Sequence, residues 1–260
     1  MGLIVERRGR TGAPPLLLVH GWAMHAGIFA PLLARLEDDF DLHLVDLPGH
    51  GRSRGSAASL DPERCAELLL AEAPDDALWL GWSMGGLTAL AAALAQPRRV
   101  RGLVMLCATP RFVRGADWRH GVSPEIFQDF GQGLATDFHG TLERFLALEA
   151  FGAEHMKDAL RALRAEVFAQ GEPAAAALAE GLRVLETCDL RARLPALAVP
   201  SLWLSGRRDR LVDPRAMAAA AALVPDANSV RLEHAGHAPF LTHAGEVADH
   251  LVDFARALHA

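Results

Sequence analysis

Short apolar runs alternate along the chain with longer segments in which apolar residues recur at helical spacing. Apolar runs of about five residues are typical of buried parallel strands, and the helices between them then cover both faces of the sheet. The predicted strands are residues 16–20, 42–46, 77–81, 102–107, 201–205 and 229–232, and the predicted helices are 28–36, 62–73, 84–95, 215–224 and 245–258. The pattern therefore predicts an α/β fold with a mostly parallel sheet, preceded by one or two short antiparallel strands near residues 3–8.

Residues 111–187 break this alternation because they contain no strand-like run. Their amphipathic stretches are rich in Ala, Leu, Arg and Glu and are separated by glycines, which predicts about four helices. Ligands of parallel sheets bind at the carboxyl edge, so a helical insert at that edge would cover the site as a lid. We therefore expect an α/β core formed by residues 1–110 and 188–260, and a helical lid (cap) formed by residues 111–187.

Composition and charge narrow the class of protein. The chain has 260 residues, of which 51% are hydrophobic, and this suffices for one large core. Its net charge of -6 argues against nucleic-acid binding. Three distant cysteines without metal-ligand spacing predict buried free thiols in a reducing cytoplasm, with neither metal nor cofactor. The start of the chain has no apolar signal segment, and no run is long enough to span a bilayer. We expect a soluble cytoplasmic monomer.

The pentapeptide Gly-Trp-Ser-Met-Gly at residues 81–85 carries the strongest chemical signal. It follows a predicted strand and precedes a predicted helix, which is the context of a G-x-S-x-G nucleophile elbow. This turn is so tight that the serine takes a strained backbone conformation and its flanking positions must be small. Ser83 is therefore the predicted nucleophile. The alternative is an incidental serine in a glycine-rich turn.

A serine hydroxyl needs a general base, and the base needs a carboxylate that orients it. In chains with this elbow the acid and then the histidine follow the serine, each in a loop after a late strand. Asp209 and His237 occupy such positions after the last two predicted strands. His234, in the same loop as His237, is the weaker alternative base. Asp213 is the weaker alternative acid, because it precedes a proline and has the pattern of a helix N-cap.

Acyl transfer also needs two backbone N–H groups for the negative oxygen of the tetrahedral intermediate. The amide of Met84, directly after the nucleophile, is one expected donor. The amide of Trp22 is the other, because it lies in the loop after the first buried strand, where Gly21 permits close approach of the backbone. Trp22 is also expected to form an apolar wall. An ordinary packing aromatic is the alternative.

Several segments together point to a known family. They are residues 20–22, 46–53, 81–86, 206–209 and 237–240, with the more specific segments 42–49, 79–86 and 143–148. These segments resemble the α/β-hydrolase superfamily, and nearly the whole chain resembles its BioH-type pimeloyl-[acyl-carrier protein] methyl ester carboxylesterases. The resemblance implies the α/β-hydrolase fold and a serine carboxylesterase of biotin synthesis. Its substrate would be the methyl ester of pimeloyl-acyl carrier protein, cleaved to pimeloyl-acyl carrier protein and methanol.

The resemblance also implies roles for individual residues. Ser83, Asp209 and His237 match the catalytic triad of the family, and Trp22 and Met84 match its oxyanion pair. The residues that match the segment touching the acyl chain are Phe145, Leu146, Ala147, Leu148 and Glu149.

A basic patch on the lid of that family meets the acidic acyl carrier protein. Arg144, Lys157 and Arg161 match this patch, with Arg164 nearby, whereas Gly140 stands where an arginine is expected. The resemblance thus implies acyl carrier protein as a partner, and neither nucleic acid nor membrane. Ordinary solvated helix faces are the alternative interpretation of these charges.

Two other functions stay open at this point. General short-chain carboxylesterases and carbon–carbon bond hydrolases use the same triad, because specificity depends on the pocket and the lid. A few proteins of this fold bind ligands without catalysis. A complete triad with both oxyanion loops favours catalysis over binding alone.

Overall fold

Seven strands form one sheet in the computed structural model, which describes residues 3–151 and 156–258. The strands are β1 (Val5–Gly9), β2 (Pro15–Val19), β3 (Asp41–Val45), β4 (Ala77–Trp82), β5 (Val100–Leu106), β6 (Ser201–Gly206) and β7 (Ala227–Leu232). Their order across the sheet is β1-β3-β2-β4-β5-β6-β7, in which β1 runs antiparallel to β3 and the remaining pairs are parallel. The predicted fold class is confirmed, with one antiparallel strand at the start.

Helices cover both faces of the sheet. For this reason β4 and β6 are buried at every position. The helices are α1 (Ala30–Leu36), α2 (Pro62–Glu72), α3 (Met84–Ala95), α4 (Pro124–Thr136), α5 (Phe138–Ala150), α6 (Met156–Val167), α7 (Ala175–Thr187), α8 (Pro214–Ala221), α9 (Pro239–Thr242) and α10 (Ala244–Ala257). On the sheet, α1 packs with α10 and α2 packs with α3. Within the described ranges no helix is long and apolar enough to cross a membrane.

Two strands, β5 and β7, begin two residues earlier than the hydrophobic pattern predicts. β5 begins at Val100, because the half-buried Arg101 interrupts its apolar run without ending the strand. β7 begins at Ala227 and lies at the edge of the sheet, where Asn228 and Ser229 are exposed. Exposed edge positions do not need apolar residues, so the pattern could not mark this start.

Four helices of the described chain, α4 to α7, lie between β5 and β6. They pack mainly on one another: α4 contacts α5 and α7, and α5 contacts α6. The predicted core and lid ranges include residues 1, 2, 152–155, 259 and 260, which lie outside the described residues. One of these, Gly152, is among the glycines that we expect to separate the predicted helices. We refer to α4–α7 as the insert.

The cysteines are unpaired in the structure. Cys65 and Cys107 are buried and Cys188 is partly buried. The prediction of free thiols is confirmed, with the burial of Cys188 incomplete.

Candidate active site

Ser83 lies in the tight turn between β4 and α3. Its backbone has φ 54° and ψ −124°, a conformation that is strained for a residue with a side chain. A Cβ atom on Gly81 would lie 2.5 Å from the Gly85 carbonyl oxygen, and one on Gly85 would lie 2.4 Å from the Val19 carbonyl oxygen. Both flanking positions therefore require glycine, and the turn is held tightly against the sheet.

A continuous chain of hydrogen bonds joins Ser83, His237 and Asp209. His237 Nε2 lies 3.0 Å from Ser83 Oγ, and His237 Nδ1 lies 2.8 Å from Asp209 Oδ2. The three residues are 4%, 0% and 5% exposed, respectively. A carboxylate only accepts hydrogen bonds, so the geometry selects the imidazole tautomer in which Nδ1–H donates to Asp209 and Nε2 can accept the proton of Ser83.

Further hydrogen bonds fix the two loops that carry the acid and the base. The second carboxylate oxygen of Asp209 accepts from the amides of Leu211 and Val212, at 2.8 and 2.9 Å. The indole N–H of Trp82 donates to the carbonyl oxygen of His237 at 2.9 Å. Trp82 is part of the G-x-S-x-G motif, but the spacing of that motif does not indicate that the Trp82 side chain holds the loop of His237.

The alternative base and acid lie elsewhere. His234 is exposed, and its Nδ1 is 3.2 Å from a guanidinium nitrogen of Arg208. Asp213 caps α8 by accepting from the amide of Arg215 at 2.8 Å, as its sequence context predicted. The structure therefore brings Asp209 and His237 to Ser83 and leaves both alternatives outside.

The two expected oxyanion donors flank the nucleophile. Met84 is the first residue of α3, and the loop of Trp22 passes so close that a Cβ on Gly21 would lie 3.1 Å from Ser83 Cβ. In the described chain neither the amide of Trp22 nor that of Met84 donates to a protein oxygen. Two unused N–H groups beside the serine hydroxyl are what a developing oxyanion requires.

Two buried histidines support the oxyanion loop. Nδ1–H of His20 donates to the Gly21 carbonyl oxygen at 2.8 Å, and Nε2 of His20 accepts from the Leu47 amide at 2.9 Å. The His50 ring lies 5.4 Å from the His20 ring. Burial lowers the pKa of His20 to about 3 and that of His50 to about 4, so both are uncharged at neutral pH. The Gly21 carbonyl belongs to the same peptide unit as the Trp22 amide, so His20 orients that donor.

The side chain of Trp22 connects the oxyanion loop to the insert. Its indole N–H donates to the Leu178 carbonyl oxygen in α7 at 2.9 Å, and its ring lies 4.5 Å from the Phe145 ring in α5. A Cβ on Gly181 of α7 would lie 2.6 Å from Trp22. The sequence predicted an apolar wall here but not this link, because its partners are more than a hundred residues away along the chain.

The predicted acyl-contact segment is split between two faces of α5. Phe145, Leu146 and Glu149 are buried toward the core, whereas Ala147 is exposed. Leu148 is partly buried and lines a cavity of about 560 Å³ between α4 and α5. The other residues lining this cavity are Ile126, Asp129, Phe130 and Arg144, so none of the triad borders it. The structure therefore directs only three of the five predicted residues inward.

The predicted basic patch lies on exposed faces of α5 and α6. Arg144 donates to the Thr141 hydroxyl at 2.7 Å, and Arg161 pairs with Asp158 at 3.2 Å along its own helix. Lys157 is exposed on the first turn of α6. Exposed polar contacts of this kind contribute little to stability, so these side chains are free to form other contacts.

Cys107 is a neighbour of the triad that sequence spacing did not reveal. Its Sγ, a carboxylate oxygen of Asp209 and a ring nitrogen of His237 all lie within 4.8 Å of one another, a set that could in principle hold a metal ion. Burial, and then the charge of Asp209, raises the pKa of the thiol, which donates to the Gly236 carbonyl oxygen at 3.7 Å. Since a protonated thiol is a poor ligand and the other two groups bind each other, this set fits a triad better than a metal site.

Comparison with known proteins places the chain among hydrolases. Residues 14–244 match the family model described as alpha/beta hydrolase fold. A pimeloyl-[acyl-carrier protein] methyl ester esterase of Stenotrophomonas maltophilia (strain K279a) is 56% identical over 245 residues, covering 94% of this chain and 94% of that protein. One of Xanthomonas campestris pv. campestris (strain B100) is 53% identical, covering 94% and 96%.

Solved structures agree at the level of the fold. An esterase from Exiguobacterium antarcticum superposes with a TM-score of 0.88 at 21% identity, covering 98% of this chain and 95% of that one. The enol-lactonase of Burkholderia xenovorans LB400 gives a TM-score of 0.84 at 22% identity, covering 98% and 96%. These two proteins carry different reactions on one architecture, so the similarity concerns the fold alone.

Proposed function

The chain belongs to the α/β-hydrolase family and, within it, to the pimeloyl-[acyl-carrier protein] methyl ester esterases, and on this premise we propose its reaction. It hydrolyses the methyl ester of pimeloyl-acyl carrier protein, giving pimeloyl-acyl carrier protein and methanol in biotin synthesis. Two relatives named for this reaction, 56% and 53% identical over most of the chain, support the substrate. The observation that carries the chemistry is the hydrogen-bonded chain from Ser83 through His237 to Asp209.

In the first half of the reaction Ser83 Oγ attacks the ester carbonyl carbon. His237 Nε2 accepts the hydroxyl proton, and the Asp209 carboxylate stabilises the resulting imidazolium. The carbonyl oxygen becomes an oxyanion that accepts hydrogen bonds from the amides of Trp22 and Met84. The helix dipole of α3, whose first residue is Met84, favours the same negative charge.

In the second half the tetrahedral intermediate collapses and the bond to the methoxy oxygen breaks. His237 gives its proton to that oxygen, so methanol leaves and the acyl group stays on Ser83 as an ester. Water then attacks the acyl carbonyl while His237 accepts its proton, and a second collapse returns the proton to Ser83 Oγ. The products are the free acid and the restored enzyme.

Acyl carrier protein is the proposed partner, and Arg144, Lys157 and Arg161 are its proposed docking residues. Their exposure on α5, which also carries Phe145 and Glu149, and on the neighbouring α6 supports this role. Docking there would deliver the acyl chain beside the oxyanion loop. The proposal places the enzyme in the cytoplasm, where it acts as a monomer.

Complementation of a bacterial strain that lacks the methyl-esterase step tests the proposed function. Expression of the wild-type chain should restore growth without biotin, and Ser83→Ala at equal expression should not. Growth with neither would remove the biotin-pathway substrate from the proposal. Growth with both would remove Ser83 from the chemistry.

A further inference from the structure

The side chain of Trp82 contacts the general base in two ways, although the proposed reaction assigns it no step. Trp82 is the last residue of β4 and directly precedes the nucleophile. It is 0% exposed, and its indole N–H donates to the His237 carbonyl oxygen at 2.9 Å. Its ring centroid also lies 5.6 Å from that of the His237 imidazole. One side chain therefore holds the backbone of the base and packs beside its ring.

The same indole lies against the oxyanion loop. A Cβ atom on Gly21 would lie 3.1 Å from Trp82 Cε3 and 3.1 Å from Ser83 Cβ. Gly21 supplies the carbonyl of the peptide unit whose N–H belongs to Trp22. Because closely packed interiors resist compression, the indole limits how closely this loop approaches the nucleophile. Trp82 thus contacts both the loop of the oxyanion donor and the loop of His237.

Two phenylalanines extend these contacts. The Trp82 ring packs edge to face on Phe240 at 4.9 Å and on Phe29 at 6.4 Å, and the two phenylalanine rings are 5.0 Å apart. Phe240 lies in α9, three residues after His237, and Phe29 ends the short helical turn that follows the oxyanion loop. All three rings are fully buried. Aromatic pairs of this geometry stabilise a core, so both loops are attached to one aromatic cluster.

We propose that Trp82 is a positioning residue that holds the general base and the oxyanion donor at fixed positions relative to Ser83. It acts through His237 and the Trp22 amide, and the inference rests on the ester hydrolysis proposed above. A displacement of about 1 Å in such groups can lower the rate about 100-fold. Since the groups act in the transition state, loss of the Trp82 side chain should lower kcat and leave KM nearly unchanged.

Two substitutions remove the contacts in steps. Trp82→Phe keeps a ring but removes the N–H donor and leaves the His237 carbonyl oxygen unpaired, so kcat for p-nitrophenyl butyrate should fall about tenfold. Trp82→Leu removes the ring as well, and kcat should fall about 100-fold. KM should stay within about twofold of wild type in both variants.

Trp203 provides the matched control. It lies in β6, is also 0% exposed, and its indole N–H donates to the Ser201 hydroxyl at 3.0 Å. Trp203→Phe therefore removes one buried donor and the same ring volume from the core. Both Phe variants should lower Tm by about 5 °C, but Trp203→Phe should leave kcat within about twofold of wild type. An equal fall of kcat in both would show that activity follows stability and would overturn the inference.

The Asp209→Asn background separates positioning from packing. His237 has already lost its orienting carboxylate there, and substitutions in residues that act as one unit are not additive. Trp82→Phe should therefore lower kcat by about threefold or less in this background, instead of about tenfold. A full tenfold loss there, or wild-type kcat for Trp82→Phe alone, would contradict the positioning role.

The Phe variant and the Asp209→Asn background keep the test valid if Trp82→Leu folds poorly. A wrong substrate would give a different result from a wrong role for Trp82. In that case the carrier-linked methyl ester would stay intact with wild type, while the effects of Trp82→Phe on p-nitrophenyl butyrate would persist.

Discussion

The triad and the basic patch of the insert are held in place in different ways. Ser83, Asp209 and His237 are almost fully buried, and the last two are fixed by hydrogen bonds from or to the backbone. The side chains of Arg144 and Arg161 are 57% and 80% exposed and pair with acids on or beside their own helices. The chemistry is thus built into the edge of the sheet, whereas the surface proposed to meet a partner can change without disturbing the triad.

The two regions meet at Trp22. Its backbone amide belongs to the oxyanion loop, and its side chain is held by Leu178 and Phe145 of the insert. Trp22 therefore belongs both to the oxyanion loop and to the contact with the insert. We therefore expect changes in the triad to lower activity most. Changes at the Trp22 contact should lower it less, and changes in the exposed patch least.

The largest effect is expected from Ser83→Ala. Removing the nucleophile of a triad lowers kcat by about 10⁶-fold, while thermal unfolding should stay close to wild type because the turn itself is retained. Hydrolysis of short p-nitrophenyl esters measures it. Retention of most of the activity would show that Ser83 is not the nucleophile.

Asp209→Asn should have the next largest effect. The amide no longer holds His237 in the tautomer that leaves Nε2 free, so kcat should fall by about 10⁴-fold. Asp213→Asn, four residues away at the cap of α8, is the matched control. Asn caps a helix about as well as Asp, so activity and stability should change little. Equal losses in both variants would mean that the acid has been assigned to the wrong residue.

Gly181→Ala tests the contact between the two regions. The new methyl group would lie 2.6 Å from the Trp22 ring and 3.1 Å from Met84 Sδ, so it should displace the Trp22 side chain and, through it, the oxyanion loop that carries the Trp22 amide. We expect kcat to fall about 30-fold, less than the loss of a whole donor would cost. Gly131→Ala in α4 is the control, since its Cβ meets nothing within 4 Å. A Gly181→Ala variant with unchanged kcat would show that the insert and the oxyanion loop are uncoupled.

Charge reversal on the insert tests the exposed patch. The double variant Arg144→Glu with Arg161→Glu should raise KM for the carrier-linked ester about tenfold at low ionic strength and leave methyl butyrate hydrolysis unchanged. Arg183→Glu, at an exposed arginine of α7, is the control for a single charge reversal outside the patch. Parallel losses on both esters, or none on either, would contradict the docking role.

The smallest effect concerns stability and pH. The folded state raises the pKa of Glu149, so it binds more protons than the unfolded state once pH exceeds the unfolded pKa. The contribution of this residue to the free energy of unfolding therefore falls as pH rises. Glu149→Gln should raise Tm by about 2 °C or more in alkaline buffer and leave it unchanged near pH 4. A gain at acid pH alone would reverse the sign and contradict the raised pKa of Glu149.

The sequence could predict the parts of the site that depend on local chain geometry. The glycines around Ser83 mark a turn that only such residues permit, and the order of strands places Asp209 and His237 at the same sheet edge. Contacts between segments that are far apart in the sequence could not be predicted, because no local pattern of residues marks them. The bond from Trp22 to Leu178 joins residues 156 positions apart, and the burial of Glu149 depends on how α5 packs in three dimensions.

The most direct test of the account is mass spectrometry of methyl pimeloyl-acyl carrier protein incubated with the purified wild-type chain. The account predicts that the carrier-bound acyl group loses the mass of one methylene unit as the methyl ester becomes an acid. Methanol should appear in equal amount, and Ser83→Ala should leave the ester intact. An unchanged ester with wild-type enzyme that still hydrolyses methyl butyrate would contradict the proposed substrate.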